Sequence, residues 1–567
     1  MMNATHRPDT PTHARSDRQA DAQANTQTDT QTDTQTDTQA PTEAHAGKQT
    51  PPVQSESANV STPCAGIAEA QTVHALFEAR VALGPEHVMI EEHHRQWRMS
   101  DLAAMADQLT AELRGLGVGR GDRVLVVAEN SPQHVGLIVA CSRLGAWSCG
   151  VNARMSVGEI AAITQRCDPR VVYFTTDGSD AAQAHAATAG AQPSTVSGLH
   201  HGHCLPDAQA AAEPLASTVA ALIFTSGSTG VPKGVMITHQ GLIQFAKVSC
   251  ASRQLTANDR AYAYVPMTHI FGLGTVLLAG LYSGSTLLMR QQFDPADVLD
   301  ALASKGLTQL QGPPTLYARL LAWLESQGIT EVATPHLRYM YAGAAPLLLP
   351  LKERVEAVMG HSLHHGYGLS EYAGILSVVR QNQGRRDTSA GYVIEGAEMR
   401  IVDAQGQDVA QGERGEIWMR GKGLMAGYFN DPEATAAVMR EGGWYASGDL
   451  GYQDPDGALY VVGRSKEMII RSGFNVYPGE VEATLLRLPE IRHAAVVGLP
   501  EADGNETVVA FVELAPGAVL DETKWRAHLR DNLAPYKRPS RLEVVETMPM
   551  TLSGKVLKKD LLTRLRT

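Results

Sequence analysis

Residues 225–230, Thr-Ser-Gly-Ser-Thr-Gly, place two glycines and four hydroxyls in a row, and Lys233 follows after Val231-Pro232. Glycines let backbone N–H groups turn inward on an anion, hydroxyls add short donors, and a lysine adds a mobile positive charge. Thr225, Ser226, Gly227, Ser228, Thr229, Gly230 and Lys233 therefore read as a cradle for phosphate. The P-loop of nucleotide hydrolases needs its lysine directly after a glycine and a helix start beyond it. Here the apolar run Val235–Ile237 follows and Leu222–Phe224 precedes, so the cradle sits on a loop between two strands.

TSGSTGVPKG resembles the signature phosphate loop of the adenylate-forming ligases: acyl-CoA synthetases, coumarate-CoA ligases, luciferases and the adenylation domains of peptide synthetases. Further stretches follow in that family's order. VPMTHIFGLG (265–274) is similar to its P-x-x-H-x-x-G. On residue type alone His269 is a packed core histidine, and Pro266 with the glycines marks a strand end and turn; the resemblance places His269 beside the acid's carboxylate. LRYMYAGAAPL (337–347) is a strand and a turn of small residues that lets something flat approach the backbone. By resemblance Gly343, Ala344 and Ala345 line the acid pocket near the adenine.

GYGLSE (366–371) resembles Y-G-x-T-E, with Ser370 for threonine. Tyr367 then offers an aromatic face to adenine, Gly368 and Ser370 join the ATP site, and Glu371 is a hard oxygen ligand for Mg²⁺. WYASGDLG (444–451) matches T-G-D, again with serine for threonine, which implies that Asp449 accepts the two ribose hydroxyls. Gly463-Arg-Ser-Lys466 resembles the G-R-x-[DK] junction: Arg464 becomes a ribose or phosphate contact and Lys466 the hinge between a large and a small domain. Gly473 falls on the path of the pantetheine arm. Ser553-Gly-Lys555 matches the catalytic lysine, while Lys558 and Lys559 read as exposed solubilising groups. The stretch SAGYVIEG (389–396) departs from the family, which carries prolines there; Gly415-Glu-Ile417 and Gly427-Tyr-Phe-Asn430 restore the pattern.

The elements that must hold these residues are legible in outline. Residues 1–65 contain three QTDT repeats in a Thr/Gln/Asp/Ala/Pro background, with no leucine before Leu76 and no aromatic before Phe77. Such a stretch has nothing with which to offset chain entropy, and it reads as a disordered tail. From Ile67 onward, Ser100 is placed to cap a helix with Leu102, Met105, Leu109 and Leu113 on one face, and Gly115 and Gly117 close it. Arg123–Ala128 is a buried strand and Ser131–Leu144 a helix with one apolar face. Strand–helix alternation continues to about residue 375, which predicts an α/β fold with parallel strands. The expected division is a large AMP-binding domain over 66–465 and a small mobile α+β domain over 466–567. In the latter, 494–499, 507–514 and 541–546 are strands and 521–533 is a helix.

Composition limits the function. A 43% hydrophobic, 19% charged chain is an ordinary globular one, and a formal charge of −12 argues against a nucleic-acid partner. Six cysteines without C-x-x-C spacing indicate neither a disulfide framework nor a zinc ribbon, and fit a reduced, cytoplasmic setting. His200-His-Gly-His-Cys204 lacks a second cluster to complete a metal site. The apolar run 276–289 is too short for a membrane span and is broken by glycines.

The resemblance implies an AMP-forming acid–thiol ligase using ATP, Mg²⁺ and coenzyme A. The substrate carboxylate attacks the α-phosphorus, and a thiol then displaces AMP. The chain stops soon after Lys555 with no attached carrier domain, which favours coenzyme A over a peptide-synthetase assembly; a separate acyl carrier protein stays open as thiol donor. The small Ala344-Ala345 turn and the lack of an acidic group in these motifs favour an uncharged tail, a medium- or long-chain fatty acid first and an aryl or cinnamate-type acid second. A non-catalytic nucleotide-binding protein is the reading from another class, and retention of both Lys555 and Glu371 speaks against it.

Overall fold

The computed structural model describes residues 65–202, 204–205, 207–226, 232–471, 474–501, 506–551 and 554–566. Residues 1–64 of the tail read as disordered, the loop members Gly227, Ser228, Thr229 and Gly230, and Gly473 lie outside the described residues, and Ala65 already opens a short helix, Ala65–Ala68.

Two sheets built mainly of parallel strands form the body, as the alternation predicts. Among the described residues one is seven-stranded, with Arg123–Ala128 and Trp147–Asn152 at its centre and the antiparallel pair Val219–Ser226 and Pro232–Thr238 at one edge. All six side chains of Arg123–Ala128 are buried, as a strand covered by helices on both faces requires. The other sheet is nine-stranded; Arg260–Ala263, Gln309–Gly312, Tyr339–Ala342 and Leu363–Tyr367 run parallel in that order across it. Three of these four strands lead, at their C-terminal ends, into 265–274, 343–345 and 368–371. In open α/β sheets that edge is where ligands bind.

A third, antiparallel sheet pairs Ala397–Val402 with Gly415–Gly421, then Trp444–Gln453, then Leu459–Arg464. The C-terminal part has a three-stranded sheet of Ile491–Pro500, Glu506–Leu514 and Arg541–Val545, with the helix Glu522–Asn532 against it, as the sequence predicts.

Three local expectations are corrected. The helix Met99–Gly115 starts before Ser100; Asp101 caps it by accepting the Arg98 N–H at 2.8 Å. The helix expected over Ser131–Leu144 runs Pro132–Leu144 with Ser131 as its cap, and instead of one apolar face it is buried on every side from Pro132 to Ser142, because two helices, Val73–Leu83 and Met99–Gly115, cover its outer face. Gly272 and Gly274 do not form a turn: they lie in a π-helical segment, Phe271–Leu278. Such wide turns are frequent at functional sites.

The proline-poor stretch 389–396 is held by charge instead. Arg385 reaches Asp387, Asp454, Asp456 and the Tyr392 hydroxyl at once, tying this segment to the hairpin that joins Trp444–Gln453 to Leu459–Arg464. The backbones of 390–391 and Leu459 exchange two further hydrogen bonds.

Candidate active site

The stretch read as a phosphate cradle is flanked by two paired strands, as predicted. Thr225 pairs with Lys233 and Ser226 with Pro232, so the register holds both ends of the loop. The Lys233 ammonium lies 4.7 Å from the centre of the Tyr428 ring, a cation–π contact. The Tyr428 hydroxyl donates to Glu371 Oε1 at 3.0 Å. The backbone around Tyr428 docks on the same hairpin, Phe429 N–H donating to the Gly234 carbonyl at 2.7 Å. One tyrosine thus links the loop's lysine to the carboxylate. Burial raises the Glu371 carboxyl above its ordinary range, against the pull of Tyr428 and Arg464.

Asp449 is nearly buried, at 6% exposure. It pairs across the strands with Arg464. Its Oδ1 accepts from Arg464 Nε at 3.0 Å and its Oδ2 from the Tyr367 hydroxyl at 2.6 Å. Its backbone N–H is fixed by Ser447 Oγ, which itself donates to the Ile417 carbonyl, and the neighbouring Gly448 N–H donates to Glu416 at 2.8 Å. The Ser447 hydroxyl thus bridges the two strands and holds the turn that carries Asp449. Burial raises the Asp449 carboxyl first, with Arg464 acting against it.

On the other side, His269 Nδ1 accepts the Phe271 N–H at 3.2 Å, which leaves Nε2 as the ring's N–H donor. Burial lowers its pKa, so the ring is neutral near pH 7. Ala344 adopts φ +66°, a strained value for a residue with a Cβ, at the turn after Tyr339–Ala342. Gly368 is demanded by a close approach: a Cβ there would lie 1.6 Å from the Gly374 carbonyl oxygen. Ser370 is buried in the short turn that carries Glu371.

Lys555 follows Gly554, which has φ +80° and packs against Thr315 of the large α/β body. The lysine lies within electrostatic reach of Arg464, Glu467 and Asp449. Its pKa is lowered, first by desolvation and then by Arg464, with Glu467 and Asp449 opposing. Lys466 is exposed in a short turn, Ser465–Glu467. Lys558 is not the solvated charge expected: it opens the last helix, Lys558–Arg566, and its ammonium pairs with Glu467 at 3.1 Å and Glu482 at 2.8 Å. Its neighbour Lys559 is exposed, as expected.

The structure therefore brings Lys233, Glu371, Tyr367, Asp449, Arg464 and Lys555 into one connected site. Tyr428, Glu416 and Glu467 were not singled out from sequence, although Tyr428 and Glu416 stand inside stretches whose pattern was noted. Among the described residues no cluster of three His, Cys, Asp or Glu offers a metal a complete protein cage. The half-buried Glu371 carboxylate, linked through Tyr428 to Lys233, is a donor that suits Mg²⁺, which takes most of its ligands from phosphate and water.

Known proteins resemble this chain over most of its length. The model of the AMP-binding enzyme family matches residues 77–429, and that of the AMP-binding enzyme C-terminal domain matches 480–555. The chain is 33% identical over 499 residues to feruloyl-CoA synthase from Amycolatopsis sp, covering 86% of this chain and 97% of that protein. It is 31% identical over 486 residues to 4-coumarate--CoA ligase 3 of Oryza sativa subsp. japonica, covering 82% and 87%. The ATP-bound crystal structure of MatB from Rhodopseudomonas palustris superposes with a TM-score of 0.76 at 29% identity, covering 87% of this chain and 98% of that one.

Proposed function

The chain belongs to the AMP-binding enzymes and is an AMP-forming acid–thiol ligase; from that premise we propose that its acid is a planar aromatic one of the hydroxycinnamate class and that its thiol is coenzyme A. The observation that carries the choice of acid is the pair of aromatic-acid ligases it resembles over more than four fifths of its length. The chemistry around His269 agrees: Phe271 meets Tyr341 edge to face at 5.8 Å, and both rings are buried. Nothing among these relatives supports the fatty acid expected first from the small turn.

In this reading the neutral His269 donates Nε2–H toward the acid's carboxylate and orients it for attack on the α-phosphorus. Little covalent help is needed, so positioning and charge stabilisation do most of the catalysis. The loop after Thr225 and Lys233 hold the outer phosphates. Glu371 would hold Mg²⁺, which would offset phosphate charge. Lys555 reaches the carboxylate and α-phosphate between which charge develops. Tyr367 presents its ring to adenine while its hydroxyl keeps Asp449 aimed at the ribose. For the second step, the domain division near Lys466 gives a hinge about which the small domain exchanges its lysine face for its thiol face. A panel of hydroxycinnamates, benzoates and C6–C16 fatty acids, scored for pyrophosphate and for thioester, tests the assignment. Turnover confined to fatty acids would reject it.

The ribose assignment has its own test. Asp449→Asn keeps the shape and removes the charge, weakening a charge-assisted bond worth about 1.5–3 kcal/mol. Calorimetry should show ATP affinity lowered by about tenfold or more, with affinity for the free acid unchanged. Unaltered ATP binding would remove Asp449 from the ribose site.

A further inference from the structure

Phe245 belongs to the helix His239–Arg253, which carries none of the residues assigned above, and no motif points to it. Its ring is buried, at 4% exposure, and is pressed between two glycines from different elements. A Cβ on Gly274 would lie 2.1 Å from Phe245 Cδ1, and a Cβ on Gly374 would lie 2.1 Å from Phe245 Cε1. Gly274 sits in the π-helical segment that begins two residues after His269, and Gly374, at φ +112°, comes three residues after Glu371. The Phe245 ring therefore fills the space that both missing side chains leave, between the element carrying His269 and the element carrying Glu371.

We propose that an acid whose carboxylate faces His269 runs its tail back between these two elements, and that Phe245 is the plug that ends this pocket and sets the length of acid admitted. This rests on the reading of the His269 side as the acid site. A phenyl ring is rigid and has glycine backbone on two sides, so it yields little to a longer ligand. A flat acid that ends short of it fits, whereas a longer flexible alkyl chain meets the ring. The wide helical turn and the two glycines are then one device: they let the ring reach the pocket from a third element, where its size alone decides the floor.

The test compares kcat/KM for 4-coumarate and for decanoate in the wild type, Phe245→Leu and Phe245→Ala, with KM for ATP measured alongside. One methylene in an apolar pocket changes selectivity by roughly 10–200-fold. Removing a ring should therefore raise the decanoate-to-coumarate ratio by about 10²-fold in Phe245→Ala, and by less in Phe245→Leu, with KM for ATP unchanged. If Phe245→Ala fails to fold, Phe245→Leu, which keeps most of the volume, decides by the same ratio. A folded variant in which both acids fall together, or in which the ratio stays put, overturns the plug; so does a wild type that already prefers decanoate. A wild type that forms no adenylate with any acid overturns the ligase assignment itself, which separates that failure from this one.

Discussion

Lys555→Ala is expected to slow pyrophosphate release by about 10²–10³-fold, the usual effect of removing one preorganised donor from a transition state. The same variant, given chemically prepared acyl-adenylate and coenzyme A, should form thioester at close to the wild-type rate. The physical basis is the place of the lysine. Gly554 packs on Thr315, and Lys555 feels Asp449 and Arg464, so the small domain here presents its lysine to the nucleotide side. If thioester formation needs another face of that domain, Lys555 has left by then. Lys466→Pro should do the reverse, because a fixed φ at an exposed three-residue turn restricts rotation while leaving the present arrangement available. Stopped-flow measurement of the two half-reactions separates the cases. Equal damage to both halves in Lys555→Ala would mean one fixed arrangement serves both, and the hinge reading would fall.

What the sequence made legible was the order of short polar motifs and the strands beside them. The loop 225–230 could be placed between two strands because apolar runs flank it, and Arg123–Ala128 could be read as a buried strand because its apolar run is unbroken from Val124. Partners made by tertiary folding were not legible. Tyr428 reaches Glu371 across 57 positions, and Arg385 gathers carboxylates from 69 and 71 positions away; no local pattern records either. The π-helical segment was missed for another reason. Gly272 and Gly274 are turn signals by propensity, yet here Gly272 backs onto the Pro266 carbonyl and Gly274 onto the Phe245 ring, contacts that no local pattern records. Lys558 looked solvated because lysines near a terminus usually are, whereas its ion pairs depend on where the last helix docks. The substrate was the least legible of all. The acid meets apolar and glycine surfaces from several elements, and small changes in their spacing decide its class.

Glu371→Gln is expected to raise stability and remove most activity at once. In the folded protein burial holds this carboxyl above its ordinary value, so folding binds a proton more readily at Glu371 than the unfolded chain does. A group of that kind leaves stability intact below the unfolded carboxylate value near 4.5, and costs stability as pH rises through the folded value. Glutamine imitates the protonated form and can still accept from the Tyr428 hydroxyl. The variant should therefore melt above the wild type at pH 7–8 without nucleotide, and the two curves should converge as pH falls below about 4.5. Its adenylation rate should drop by about 10²-fold or more, with a higher Mg²⁺ requirement, because the carboxylate that takes part in holding the ion is gone. The two effects have one cause: a charge kept out of water until a cation arrives. Thermal melts across that pH range, set beside Mg²⁺ titrations of pyrophosphate release, check both halves. A Glu371→Gln protein that melts no higher and turns over at the wild-type rate with the same Mg²⁺ dependence would take Glu371 out of the metal site.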